Sequence, residues 1–218
     1  MKVLHLFSGS GSMDQAFKDR DHVVFRIDIE RSYSPDMTAD IGKLRVSDIP
    51  FYDPDVILGG FPCETFSVAS ISTHWTGGIR AYVPKTLKAK NAMKLVNHTR
   101  ELINEFNPRI SIIENPRGIA RKIWPDWLST TVWYCRYWGE KDVVNGQLIR
   151  SAKPTDLFGK LPEKFVSKTC HNNYTDHVQA RRGAKTGTQG KKNYYERSKV
   201  PYKLSLELCL AVEKQLEG

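Results

Sequence analysis

The sequence predicts a single α/β domain built on a mainly parallel sheet. Three observations lead there. The runs Lys2–Phe7, His22–Asp28, Asp55–Gly59 and Ile110–Glu114 are continuously apolar rather than alternating, the pattern of strands covered on both faces. Helical periodicity separates the third run from the fourth. The chain has 218 residues, enough for one full core with a small appended lobe.

The elements follow in order. The first strand runs into the turn Phe7-Ser8-Gly9-Ser10-Gly11-Ser12 and then a helical stretch containing Asp14, Ala16 and Phe17. The second ends at Asp28, with Ile29 next, and Asp40-Ile41 precede the third. The third delivers Gly59-Gly60-Phe61-Pro62-Cys63-Glu64-Thr65-Phe66-Ser67, a tight turn stiffened by proline. Residues Val68–Lys90, with Gly77-Gly78 and Arg80, form a long connection. Ala92, Leu95, Val96, Thr99, Leu102, Ile103 and Phe106 then fall at helical spacing, closed by Asn107-Pro108. The fourth strand ends in Glu114-Asn115-Pro116-Arg117-Gly118. Weaker strand signals cover Thr131–Trp138 and Pro154–Phe158. A last helix runs from about Pro201 to Leu216, with Leu208, Ala211, Val212 and Leu216 as its stripe. Strands alternating with helices imply right-handed βαβ units.

Composition excludes several classes. Hydrophobic content of 40% and five tryptophans argue against global disorder. No apolar run approaches the roughly 20 residues of a membrane span. The first seven residues are too short an apolar run for a signal peptide, which points to a cytosolic protein. The net charge is +9, and residues 160–203 hold eleven Lys and Arg against three Asp and Glu, while the remainder is nearly balanced. A concentrated surplus interleaved with Tyr174, Gln179, Tyr194 and Tyr195 suits a phosphate-binding surface, against the plainer reading of a solvated tail. The four cysteines, 63, 135, 170 and 209, contain no C-x-x-C pair, and no disulfide framework is expected. Cys170-His171 with His177 have the wrong spacing and number for a closed zinc site, so no metal is expected.

The chemistry gathers at strand ends, where an open parallel sheet binds its ligands. The glycine turn lets backbone approach a ligand, but Asp14 occupies the third glycine position of the dinucleotide fingerprint, disfavouring a pyrophosphate. Asp28 suits ribose hydroxyls, Ile29 an adenine face, and Asp40 an adenine amino group. Without pyrophosphate chemistry, this combination fits S-adenosylmethionine. Cys63 lies beyond its apolar run, a placement that leaves both an offered nucleophile and an inert packed thiol open. Glu114 closes a buried strand, where burial favours the protonated, hydrogen-bond-donating carboxyl unless an ion pair with Arg117 or a lysine intervenes.

At these residues the chain resembles the DNA cytosine carbon-5 methyltransferases. Phe7-Ser8-Gly9-Ser10-Gly11 resembles their first motif, Phe61-Pro62-Cys63-Glu64-Thr65-Phe66-Ser67 their Pro-Cys motif, and Glu114-Asn115-Pro116 their Glu-Asn motif. The resemblance covers residues 1–118. Lys153-Pro154-Thr155-Asp156-Leu157-Phe158 and the stretch from Arg181-Arg182 through Lys185 to Gly190 resemble segments of small phage-encoded members. It implies a Rossmann-like S-adenosylmethionine-dependent fold with a very small basic recognition lobe. It further implies Cys63 and Glu114 as catalytic residues acting on a flipped-out cytosine, and protection of viral DNA from restriction. The cofactor site it implies comprises Phe7, Ser8, Gly9, Ser10, Gly11, Asp28, Ile29, Asp40, Ile41, Gly60 and Pro62, with Ser198 and Val200 closing the pocket. Double-stranded DNA is the implied partner of a monomer, touched by Arg80, Arg181, Arg182 and Lys185.

The family's Gln-x-Arg-x-Arg strand is not evident; Lys153, Arg150 and Gln179-Ala180-Arg181 are the candidates to replace it. Its Gly-Asn-Ser-Val-Pro reads here as Arg197-Ser198-Lys199-Val200-Pro201. The expected division is a catalytic core over 1–159, a basic target-recognition segment over 160–196 and a returning helix over 197–218. Two other readings stay open: a methyltransferase acting on RNA such as tRNA, and a catalytically silent nucleic-acid-binding relative.

Overall fold

A computed structural model describes residues 1–77, 82–139, 143–144, 147–148, 150–170, 177 and 194–216. Seven strands form one sheet: β1 (Lys2–Leu6), β2 (Val23–Asp28), β3 (Met37–Thr38), β4 (Val56–Gly59), β5 (Ile110–Pro116), β6 (Leu128–Trp133) and β7 (Pro154–Phe158). Their spatial order is β3-β2-β1-β4-β5-β7-β6. The first five are parallel, with Leu4 opposite Phe25 and Ile57, and Leu58 opposite Ile112. Only β7 runs antiparallel to its neighbours, pairing Asp156 with Asn115 and Thr155 with Val132. This is the expected α/β architecture. The chain order reverses between β1 and β4, so the crevice beyond their carboxyl ends is the topological switch point.

Alternation within each continuous apolar run feeds two cores. Leu4, Leu6, Ile57 and Ile113 pack on one face with Val96, Leu102 and Ile103 of helix Leu87–Phe106. Val3, Val56, Leu58, Ile110 and Ile112 pack on the other with Phe17, Leu204, Leu208 and Val212. The last three belong to the C-terminal helix Tyr202–Leu216, and Ser205 there donates to the Met13 carbonyl at 2.6 Å. Burial on both faces explains why these strands carry no polar side.

Several boundaries differ from expectation. The central helix starts five residues before its apolar stripe because Thr86 caps it, accepting from the Ala89 N–H; Asn107, at φ 48°, ends it as expected. The strand expected over Thr131–Trp138 lies at Leu128–Trp133. Its partner β7 begins at Pro154, opposite Trp133, and the last rung is Tyr134 N donating to the Lys153 carbonyl at 3.1 Å. Tyr134–Arg136 then turn in a 3-10 helix. The described part of the long connection after Cys63 is also folded: helix Ile71–His74 precedes a two-stranded ribbon pairing Trp75 with Pro84, and the buried Trp75 indole donates to the Thr65 carbonyl at 2.6 Å. Residues 160–170 lie on the core, where Lys160 and Ser111 exchange two hydrogen bonds of 2.9 Å. Among the described residues no helix is long and apolar enough to cross a membrane.

Candidate active site

One cavity of about 760 Å³ opens at the switch point. It is built from the ends of four parallel strands. After β1 the backbone turns through Phe7 at φ 55° and Gly9 at φ 46°, a conformation that suits glycine and strains phenylalanine. A Cβ on Gly9 would meet nothing within 4 Å, so the turn faces open space. Asp28 at the end of β2 holds this turn: Oδ2 accepts the Gly9 N–H at 2.7 Å, and Oδ1 accepts the Glu30 N–H at 2.8 Å. Ile29, 63% exposed, lies at the mouth with Glu30 and Tyr33.

Asp14, where a dinucleotide fold would carry glycine, is fully buried. It meets His5 Nδ1 at 2.5 Å, Arg26 at 3.4 Å and Lys18 at 3.6 Å. Burial alone would raise its pKa, but the His5 hydrogen bond and the neighbouring Lys18 and Arg26 hold it below the usual carboxylate value. The residue braces β1, β2 and the first helix behind the turn.

Beyond β4, Phe61 is anchored among Phe66, Trp127 and Phe158, with ring centroids 5.4, 6.3 and 6.1 Å away. Cys63 follows in a tight turn whose carbonyl accepts from both Phe66 N and Ser67 N at 3.0 Å. The next strand grips this loop twice. Asn115, fully buried, donates to the Phe61 carbonyl at 2.9 Å, and Ile119 N donates to the Phe66 carbonyl at 2.8 Å. Asn115 and Ile119 thus set Cys63 relative to Glu114.

Glu114 does not stand alone. Tyr134 Oη donates to its Oε1 at 2.8 Å, and Lys153 Nζ lies 3.6 Å from the same oxygen. Burial first, then the Glu114 charge and hydrogen bond, push the Tyr134 phenol well above its ordinary value, so it remains a donor. Lys153 also sits over the Tyr134 ring at 4.7 Å and donates to the Arg197 carbonyl at 3.2 Å. The ion pair that competed with a proton-donating Glu114 is therefore present, with Lys153 as its partner. Burial raises the Cys63 thiol pKa; Lys153 opposes that rise and Glu114 adds to it.

Of the residues singled out in the sequence, Cys63, Glu114, Phe7, Ser8, Gly9, Ser10, Asp28, Ile29, Gly60, Pro62, Ser198 and Val200 line this cavity. Val200 is fastened to the glycine turn by its N–H to Ser12 Oγ at 2.9 Å. Three expected cofactor residues do not line it. Gly11 instead packs on Arg26 and Asp14; Asp40 accepts the Gly42 N–H and pairs with Lys43; Ile41 is buried in the core. Arg80, Arg181, Arg182 and Lys185 lie outside the described residues, as do Gln179 and Ala180. Of the remaining candidates for the missing basic strand, Lys153 reaches the cavity, whereas Arg150 stacks on Trp138 at 4.6 Å and donates to the Cys135 carbonyl. Tyr134 and Glu30 were missed. Nothing in sequence spacing links Tyr134 to a carboxylate twenty positions away, while Glu30, two residues beyond Asp28, carried the same strand-end signal.

The family model of C-5 cytosine-specific DNA methylases matches residues 1–124. Among curated proteins the chain is similar to a frog virus 3 (isolate Goorha) protein named "Probable DNA (cytosine-5)-methyltransferase", 29% identical over 176 residues, 78% of this chain and 75% of that protein. It is also similar to the type II methyltransferase M.DsaV of Dactylococcopsis salina, 28% identical over 128 residues, 55% of this chain and 32% of that one. Among solved structures it is similar to a protein assigned as a DNA modification methyltransferase encoded within an E. coli prophage. There the TM-score is 0.49 at 16% identity, over 93% of this chain and 66% of the other. The chain thus spans three quarters, about a third and about two thirds of these relatives.

Proposed function

The chain belongs to the C-5 cytosine-specific DNA methylases, and from that premise we propose that it methylates carbon 5 of cytosine in DNA, with Cys63 as nucleophile and Glu114 facing ring nitrogen 3. The observation that carries this reading is the convergence of Cys63, Glu114 and Lys153 on the cavity that also contains the glycine turn.

The cavity suits S-adenosylmethionine. Gly9 faces open space, Ile29 offers an exposed apolar surface, and buried Ser8 Oγ has no hydrogen-bond partner among the described residues. Phe7–Ser10, Asp28, Ile29, Gly60, Pro62, Ser198 and Val200 would hold it. Bound there, it supplies a sulfonium methyl group to a nucleophilic carbon.

The chain's own residues make that carbon nucleophilic. An unactivated pyrimidine carbon 5 is a poor nucleophile, so the Cys63 thiolate adds to carbon 6, forming a C–S bond and an enamine. Glu114, taking up a proton from water as the base displaces its ion pair with Lys153, donates a hydrogen bond or that proton at nitrogen 3, which absorbs the electron pair pushed into the ring. Lys153 compensates charge beside both groups, favouring the thiolate before addition. After methylation a base removes the carbon-5 proton, the C–S bond breaks, and Cys63 leaves as thiolate. The target carbon is stacked within a duplex, so the base must enter the cavity flipped out.

The test uses labelled S-adenosylmethionine with duplex DNA or tRNA, and a 5-fluorocytosine duplex as a trap. Label should enter DNA and not tRNA, and the trap should give a covalent adduct that Cys63→Ser abolishes. Label in neither polymer, or an adduct surviving that substitution, would overturn the reading; label in tRNA alone would change the substrate.

A further inference from the structure

We propose that Cys135, Cys170 and His177 form a binding site for a thiophilic divalent cation of the zinc class, clasping the entrance of the basic segment to the catalytic core. Their ligand atoms, two Sγ and one imidazole nitrogen, all lie within 4.8 Å of one another. Tetrahedral zinc with sulfur and nitrogen ligands has ligand–ligand edges of about 3.5–3.8 Å. The Cys170 Sγ to His177 Nδ1 separation is 3.6 Å. Both thiols are withdrawn from solvent, at 1% and 7% exposure, and neither is in a disulfide.

Sequence spacing could not show this site, because Cys135 is thirty-five positions from Cys170. The fold joins them: the Lys168 carbonyl accepts from Trp133 N at 3.2 Å and Lys168 N donates to Tyr137 Oη at 2.7 Å, which lays residues 168–170 along the turn holding Cys135. Two thiolates and an imidazole select a soft or borderline ion over magnesium or calcium. Binding releases two protons from the thiols, with no change of oxidation state, and leaves the fourth position to water. A second cluster, His22, Cys209 and Glu213, lacks this character, since Glu213 already serves Arg20 at 2.6 Å and His22 at 2.9 Å. The clasp would fix the basic segment to the turn that also carries Tyr134. It stands independently of the proposed methyl transfer.

The experiment titrates the full-length chain, reduced and stripped with a chelator, first with cobalt(II) and then with zinc. Wild type should take up one equivalent of cobalt with thiolate-to-metal charge-transfer and tetrahedral visible bands, and one equivalent of zinc should displace it. Cys135→Ser, Cys170→Ser and His177→Ala should each weaken binding by more than the about 10–100-fold typical of losing a supporting partner, while Cys63→Ser should bind as wild type. Circular dichroism checks that each variant is folded, and the wild-type titration does not depend on them. Absence of the charge-transfer band, bands unchanged in Cys135→Ser, or binding lost in Cys63→Ser would overturn the site.

Discussion

Cys63 has an environment that opposes its own ionisation: burial lifts its pKa, Glu114 lifts it further, and Lys153 is the main opposing charge. The thiolate is the reactive form, so attack on an electrophile should rise about tenfold per pH unit until the thiol pKa is passed. Lys153→Met should move the midpoint of Cys63 alkylation by iodoacetamide to higher pH, and Glu114→Gln should move it lower. Mass spectrometry of the Cys63 peptide across pH measures both, and an unmoved midpoint in Lys153→Met would remove that lysine from the account. Asn115 acts on position rather than charge. Asn115→Ala strands the buried Phe61 carbonyl, which costs about 1–3 kcal/mol. At about 2–4 °C per kcal/mol, calorimetry should register a fall of several degrees, and adduct formation should drop further because the Cys63 turn loses its tether. Cys63 and Glu114 were legible because each stands at the end of an apolar run. Lys153 stood out only as a replacement for a missing motif, and Tyr134 not at all, since its contact with Glu114 depends on how a chain turn meets a distant strand.

Elements meet most closely where the loop after β4 crosses the loop after β5. A Cβ on Gly118 would lie 2.0 Å from the Phe66 carbonyl oxygen and 3.0 Å from its carbon, both backbone atoms that cannot rotate away. Gly118→Ala must therefore push the Cys63 loop from the Glu114 strand, at an overpacking cost of about 1–3 kcal/mol or more. Gly159→Ala is the comparison. Its Cβ would meet the Ser111 carbonyl oxygen at 2.6 Å, at φ 99°, on a turn that does not line the cavity. Both should lower the melting temperature, but Gly118→Ala should lose far more adduct formation per degree lost. Equal losses would mean that the loop crossing contributes stability alone. The sequence carried the strands of this region in their continuous apolarity, because each is covered on both faces. It did not carry the loop crossing, whose only mark is a glycine that could equally have served a turn, nor the end of β6, where the chain turns into the 3-10 helix Tyr134–Arg136.

Across the whole molecule, charge is distributed unevenly: residues 160–203 carry nearly all of the excess over a balanced remainder. The described part of that segment divides its basic groups by role. Lys168 is paired with Glu207, Lys199 with Glu196, and Arg197 lines the cavity, so these cations serve the fold or the site. The sequence reading places the phosphate contact on Arg181, Arg182 and Lys185, which lie beyond the described residues. Counterion release makes each phosphate contact worth about 0.9 in the slope of log affinity against log salt for duplex DNA. Replacing Arg181 and Arg182 together with alanine should flatten the slope by about two, with the larger affinity loss at low salt. Fluorescence anisotropy on a labelled duplex across a salt series measures it. If affinity falls while the slope is unchanged, the two arginines read bases or hold the segment in shape; if neither changes, duplex DNA lies elsewhere. The sequence reading assigns target recognition to about residues 160–196, and a segment that short draws its affinity mainly from phosphate contacts and the shape of its site. A steep slope in the wild-type chain is therefore the expected companion of this small segment.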